Sequence, residues 1–214
     1  MEIVNLKTQS KTKQITTIRQ AVKNPNRVNV FLNEKFAFFL DIIQCTNFKL
    51  KVGQKLNAKK IQEYRRASET GKLYQKTLKW ILMRPRSIKE TRDYLYGKQK
   101  VEITEQDIEM IIKKLEKKKY LNDWEFAKYY VENRFIKKGI STRRLENELQ
   151  KKGVESEIIS QILKLDMRDD AQEIQKIIRK KRVKYNDEKL ISYLVRQGFD
   201  FEMVQNLVQS YEKD

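Results

Sequence analysis

The sequence contains no histidine and a single cysteine, Cys45. Without histidine the commonest general base and the commonest zinc ligand are missing, and one thiol cannot close an intramolecular disulfide. Proline occurs only at Pro25 and Pro85 and glycine at six positions, so the residues that interrupt helices are scarce. The longest apolar stretch, Phe36–Ile43, is broken by Asp41 and is far too short to span a bilayer. No glycine-rich phosphate loop is present, since Gly71-Lys72 lacks the preceding glycine and the following Ser or Thr, and no Ser or Cys sits in a nucleophile motif. These absences predict no catalytic residues, no metal, no cofactor and no membrane partner. With nothing at the amino terminus that reads as a signal sequence, they point to a reducing cytoplasm.

What the chain has in excess is positive charge. The 47 Lys and Arg outnumber the 29 Asp and Glu, a formal +18 over 214 residues, while 39% apolar residues is enough to form real cores. The excess is uneven: +9 over residues 1–70, +7 over 71–121, +2 over 122–165 and zero over 166–214. A field of this size favours a polyanionic partner at the first half of the chain. The plainer reading is a set of lysine-rich helices that are simply well solvated.

The chain also repeats itself. Leu145, Leu149, Gly153, Ile158, Ile159, Ile162 and Leu163 recur 45 residues later as Leu190, Leu194, Gly198, Met203, Val204, Leu207 and Val208. Each copy has apolar residues four apart, a glycine, and a second segment with apolar pairs at the spacing of one helical face. A weaker first copy matches Leu95 to Leu149 at an offset of 54, with an insertion around Lys98–Ile103. Units that cannot bury their apolar stripes alone must stack, so the expected fold is mainly α: an elongated tandem array of three three-helix, helix-turn-helix-like repeats. Cap residues at Ser87, Thr104, Asp123, Ser141 and Asn186 mark helix starts. They place helices near 72–83, 88–97, 104–119, 123–138, 142–152, 156–165, 169–182, 187–197 and 200–212.

Ahead of the array, residues 1 to about 14 lack periodicity. Val28, Val30 and Leu32 alternate with polar residues, Asn33-Glu34 supplies a turn and Phe36–Leu40 returns, which predicts a β-hairpin. Phe48, Leu50 and Gly53 suggest a third strand and a turn before helical periodicity resumes at Ala58. The expected domains are a basic β-hairpin module with a linking helix (1–70) and three-helix repeats over 71–121, 122–165 and 166–214.

Several basic residues are candidate partner contacts. Arg84 and Arg86 flank Pro85 just before a capped helix, which suits a phosphate or carboxylate or equally a structural corner paired to nearby acids. Arg134, ahead of Lys137 and Lys138, is either a buried carboxylate partner or an exposed contact. Arg143 and Arg144 open the next predicted helix. Arg179, Lys180, Lys181, Arg182 and Lys184 end a helix, where the dipole already favours cations. Lys113, Lys114, Lys117, Lys118 and Lys119 read as a solvated face opposite Ile108, Ile111, Ile112 and Leu115. Tyr120, Phe126 and Tyr130 read as core rather than as stacking platforms.

In order and spacing, these features resemble the RecX family of regulatory proteins. The resemblance is carried by Asn29-Val30-Phe31-Leu32 and Phe36-Ala37-Phe38, the Arg84-x-Arg86-Ser87 corner, and Tyr120-Leu121-Asn122-Asp123 with Phe126-Ala127 and Arg134. Gly139, Leu149-x-x-x-Gly153 and Leu194-x-x-x-Gly198-Phe199 complete it. Asn122 stands where the family usually has a second Asp, and Lys119 where it usually has Gly. The resemblance implies a non-enzymatic modulator of homologous recombination that lies in the groove of the RecA filament on DNA and inhibits RecA's ATP hydrolysis and strand exchange. It also implies electrostatic binding to single- and double-stranded DNA. A monomer is expected because the repeats cap each other within one chain. The rival reading is a direct DNA-binding helical-repeat protein that acts without RecA.

Overall fold

The computed structural model describes residues 12–22, 24–135, 139–165 and 169–211. Of the irregular start expected over residues 1 to about 14, residues 1–11 lie outside them, as do Lys137 and Lys138, while Lys13 and Gln14 already belong to a strand. The chain opens with three antiparallel strands, β1 (Lys13–Ala21), β2 (Asn24–Leu32) and β3 (Lys35–Asp41). Helix α1 (Ile42–Asn47), the short strand β4 (Lys55–Leu56) and the long helix α2 (Ala58–Ile81) follow. The sheet order is β3-β2-β1-β4. The expected hairpin is β2–β3; Asn33 and Glu34 both take positive φ (47° and 67°) at its turn, as a turn matched to the strand twist requires.

Two expectations are corrected and one strand is added. Phe48 and Leu50 do not form a strand, because Asp41 and Gln44 build a reciprocal cap that turns the chain into α1. The remaining long strand is β1, whose period-two signal is broken by a register shift between Ile15 and Thr17. Finally, no helix begins at Gly71: α2 runs unbroken from Ala58 to Ile81. Glycine inside a helix costs about 1 kcal/mol relative to alanine. Here the Gln44 side chain lies 3.4 Å from where a Cβ would stand and donates to the Ala67 carbonyl at 3.0 Å. The inner face of the sheet supplies Ile15, Val30, Leu32, Phe38 and Leu40, which α2 covers with Ile61 and Tyr64.

The remaining helices are α3 (Ile88–Tyr96), α4 (Glu105–Lys117), α5 (Asp123–Phe135), α6 (Thr142–Lys151), α7 (Ser156–Leu165), α8 (Asp170–Lys181), α9 (Asp187–Arg196) and α10 (Phe201–Gln209). Internal contacts divide the chain into one unit of residues up to Lys79 with Leu95–Lys113 and another of Trp80–Tyr94 with Lys114 onward. In the second unit, α5–α7 close around Phe126, Val131, Leu145, Leu149, Ile159 and Ile162. Helices α8–α10 close likewise around Ile174, Ile178, Leu190, Leu194, Val204 and Val208. The last helices of the two cores differ in rotation: Ile159 and Ile162 are buried in α7, but Val204 and Val208 in α10, while Met203 is 38% exposed.

The second unit contains one joint built twice. Ser87, fully buried, accepts from the Glu90 amide of its own helix and donates to the Lys152 carbonyl at 2.7 Å. Ser141, also fully buried, accepts from the Arg144 amide and donates to the Gln197 carbonyl at 3.2 Å. Each carbonyl belongs to the residue before a glycine, Gly153 or Gly198. Both glycines have left-handed φ (+78° and +92°), which ends α6 and α9. Beside each serine, the first amide of the helix is taken by a carboxylate of the following group: Ile88 N–H donates to Asp123 at 2.8 Å and Thr142 N–H to Asp170 at 2.9 Å. Each joint therefore satisfies two amides that a helix start leaves unpaired, one from inside the group and one from the next.

This arrangement corrects the reading of Asp123 as the cap of its own helix. Asn122 caps α5 through Trp124 N–H at 2.8 Å, which frees Asp123 for α3. The turn before it contains the other departure from the family pattern. Lys119 has φ +59°, a left-handed conformation that disfavours a side chain by about 1 kcal/mol.

The joint leaves no room at the glycines. A Cβ on Gly153 would lie 2.6 Å from Lys89 Cβ, and one on Gly198 would lie 2.5 Å from Ser141 Oγ. We predict that Gly198→Ala lowers stability by about 2–3 kcal/mol through backbone strain and overpacking. Ser141→Ala should cost about 1–2 kcal/mol through the lost cap and the lost hydroxyl bond to the Gln197 carbonyl, which then keeps only the 3.4 Å bond from the Ser141 amide. Both are read as urea midpoints at constant m-value; unchanged midpoints would refute the joint.

Candidate partner-binding surface

The candidate contacts fall into three clusters, and each is best understood from what its cations already hold. At the Arg84-Pro85-Arg86 corner, Arg84 donates to the Pro85 carbonyl at 2.9 Å and to Glu90 at 3.3 Å. Glu90 also receives Lys152 at 2.7 Å. Burial pushes the Glu90 carboxyl up, but these two cations outweigh it and hold the group below its ordinary range. Arg86 lies 3.9 Å over the Trp80 ring, which stacks nearly parallel on Tyr94 at 4.3 Å. Its Nε is buried with no hydrogen-bond partner among the described residues. Burial, then the neighbouring Arg84, lowers the Arg86 pKa. The corner is thus largely packed against its own unit, with Arg84 half-exposed beside Glu90.

In the second cluster Arg134 reaches from α5 to α6 and grips Glu148 with two bonds, 2.8 and 2.9 Å long. Tyr130 donates to the same carboxylate at 2.8 Å, and Arg144 approaches it at 3.3 Å. A two-pronged guanidinium–carboxylate pair is strong and directional, so this cluster pins α5 to α6. The Arg134 hydrogen bond, only partly opposed by burial, draws Glu148 down to about 2. Burial and the Glu148 hydrogen bond push Tyr130 up to about 12, and Arg134 rises as the carboxylate's partner. Arg144 also donates to the Arg196 carbonyl at 3.1 Å and to the Gln197 side chain at 2.9 Å, reinforcing the second joint. Arg143, its neighbour, points into solvent.

The third cluster closes α8. Lys181 lies over the rings of Tyr193 (4.5 Å) and Tyr185 (5.1 Å). Arg182 donates to the Val208 carbonyl at 3.0 Å, meets Asp187 at 3.1 Å and lies over Tyr211. Arg179, Lys180 and Lys184 are exposed. The lysines at 113, 114 and 117–119 are exposed as well, while Ile108, Ile111, Ile112 and Leu115 on the same helix are buried.

The fold thus separates the candidates by what they hold. Arg134, Arg144 and Arg182 are occupied by internal partners, and Arg86 and Lys181 rest on aromatic rings. Arg143, Arg179, Lys180 and Lys184 face solvent with their charge uncompensated by any ion pair among the described residues. Sequence reasoning missed Glu148, Trp80 and Tyr94. The first was readable as an i,i+4 partner of Arg144; nothing in the spacing links Trp80 to Arg86. Chemically, the exposed group can bind carboxylates or phosphates electrostatically, and Arg143 and Arg179 can do so with two hydrogen bonds.

The depressed Glu148 pKa makes a signed prediction. Its unfolded value is about 4.3, so the pair's stabilisation is fully present above that and is lost as pH falls through the folded value of about 2. Glu148→Gln should be destabilised by about 2–3 kcal/mol at pH 7. The gap to the parent should close between about pH 4.5 and 2, as read by thermal melts across pH. A gap that does not narrow over that range would contradict the assigned pair.

Comparison with known proteins agrees with this architecture along most of the chain. Residues 13–57 match the Regulatory protein RecX N-terminal domain, and residues 122–163 match the second three-helix domain of RecX. A Regulatory protein RecX from Bacillus pumilus (strain SAFR-032) is 34% identical over 203 residues, 91% of this chain and 76% of that protein. One from Listeria monocytogenes serotype 4a (strain HCC23) is 33% identical over 199 residues, covering 89% and 72%. Among solved structures, a crystal structure of regulatory protein RecX superposes with a TM-score of 0.72 at 22% identity, covering 92% of this chain and all of that one. RecX from Lactobacillus salivarius gives 0.54 at 23% identity over 67% of this chain and 96% of that one.

Proposed function

The chain belongs to the RecX family of regulatory proteins, and from that premise we propose that it acts, as a monomer and without catalysis, on the RecA filament assembled on DNA. In this reading it occupies the filament groove and inhibits RecA's ATP hydrolysis and strand exchange. The observation that carries the reading is the twice-built serine–carbonyl joint. Within the second unit it fixes α3 against the second three-helix group and that group against the third, and a ligand made of repeating subunits is met well by a protein made of repeating groups. Several modest contacts made at once gain effective concentration from their connection. Arg143, from the second group, and Arg179, Lys180 and Lys184, from the third, are the candidate contacts with no ion pair among the described residues, and they are assigned to such contacts. The more basic first half of the chain, +9 and +7 over its two segments, is assigned to filament DNA by electrostatics.

The test is RecA ATPase on single-stranded DNA with increasing amounts of the full chain. Arg143→Glu combined with Arg179→Glu and Lys180→Glu should raise the concentration needed for half inhibition at least tenfold, with circular dichroism and melting unchanged. Inhibition equal to the parent would exclude these residues from the interface. Absence of inhibition by the parent, together with tight sequence-selective binding to bare duplex at physiological salt, would favour the RecA-independent reading.

A further inference from the structure

The sheet of the amino-terminal module has a second face that the core does not use. Strand register fixes its membership. Arg19 on β1, Asn29 on β2 and Phe39 on β3 form one row; Thr17, Phe31 and Phe36 form the next. These positions alternate with Ile18, Val28, Val30, Phe38 and Leu40, which pack on the inner side. In an ordinary two-layer module such an outer face is polar. Here it carries three phenylalanines.

Phe36 is the most telling of them. It is 58% exposed although it sits two residues from the buried Phe38, and simple alternation would put both rings in the core. A register shift brings Phe36, not Ala37, opposite Phe31. The bulge re-aims the ring to the outside, where it stands edge-on to Phe31 with centroids 6.0 Å apart. An exposed aromatic costs the fold solvation and invites aggregation at an edge strand, so burial does not explain its position.

Cations accompany the rings. The Arg19 guanidinium lies 5.9 Å from the Phe31 centroid and Arg27 4.6 Å from that of Phe39; Lys72 of α2, itself paired with Glu69, reaches the Phe39 ring from the helix side at 4.4 Å. Strands β1–β3 carry Lys13, Arg19, Arg27 and Lys35 against one acid, Asp41, whose carboxylate is engaged in capping α1; the turn between β2 and β3 adds exposed Glu34. Thr17 and Asn29 add neutral hydrogen-bonding groups between the rings. Flat rings, flanking guanidiniums and an excess of cations over acids are what unpaired bases on a phosphate backbone require. A duplex hides its bases and could use only the charge. An acidic peptide would find the cations but has no use for the rings.

We propose that this outer face, centred on Phe31 and Phe36 with Arg19 and Arg27, binds single-stranded DNA by stacking bases on the rings. The choice of DNA rests on the filament reading above; the stacking geometry does not.

The experiment is fluorescence anisotropy of a labelled 20-nucleotide oligo(dT) with the full chain, in the absence of RecA. Phe31→Leu combined with Phe36→Leu keeps apolar volume but removes both π-faces, and should weaken binding tenfold or more. The slope of log K against log salt should stay as in the parent. Arg19→Gln combined with Arg27→Gln should flatten that slope by about two phosphate contacts. Circular dichroism and melting monitor folding, and Phe36→Leu alone, at an exposed position, serves if the double variant is unstable. Parent-like affinity in the folded leucine variant, or equal affinity of the parent for oligo(dT) and for duplex, would overturn the proposal. Because RecA is absent, such a failure would leave the filament reading standing, and loss of ATPase inhibition would leave this face standing.

Discussion

A serine hydroxyl that caps one helix while reaching the last carbonyl of another is the contact on which the repeated part of this protein depends. A helix start leaves amides without partners and a helix end leaves carbonyls without partners. At Ser87 and again at Ser141 the two needs meet across successive groups, with Asp123 and Asp170 taking the adjacent amide. The glycines at the receiving turns follow from this, since a side chain there would collide with the incoming helix. Apolar burial closes each group around its own core and contributes most of the folding free energy. Burial is non-directional, however, and within the second unit the polar joint is what supplies a fixed angle and spacing between α3 and the two groups that follow it.

The same logic sorts the arginines. A guanidinium that already makes two bonds to a carboxylate, as Arg134 does to Glu148, has little left to offer a partner, and removing it would strand a partly buried charge. Loss of function on mutating such a residue would report on the fold. Cations that hold no ion pair among the described residues, such as Arg143 and Lys180, are the ones whose replacement reports on binding. Positive charge is abundant here, so the number of basic residues says little about where a partner sits; what each one already holds says much more.

Much of this architecture was legible in the sequence because its signals are local. Caps such as Ser141 and Asn186 bind amides three residues away, and Leu145, Leu149, Leu190 and Leu194 declare a buried face by spacing alone. What was hidden depends on residues far apart in the chain. Asp123 looked like the cap of α5 because its use by Ile88, 35 positions earlier, leaves no local trace. Gly71 looked like a break because nothing nearby shows that Gln44 fills the space beside it. The bulges that hide β1 and turn Phe36 outward obey no period. Among the candidate contacts, residue type and clustering were readable, but the partner of each was not: Arg134 and Arg143 look alike in sequence and differ entirely in use.

The most direct test of the joint is native-state amide hydrogen exchange of the intact chain, read at Ile88 and Thr142. If the joints lock the groups together, these two amides should open only with the cores, at the same free energy as the helical amides around Leu149 and Leu194. Exchange of Ile88 or Thr142 at a free energy several kcal/mol lower, with those cores still closed, would mean that the groups part freely and that the joint does not organise the protein.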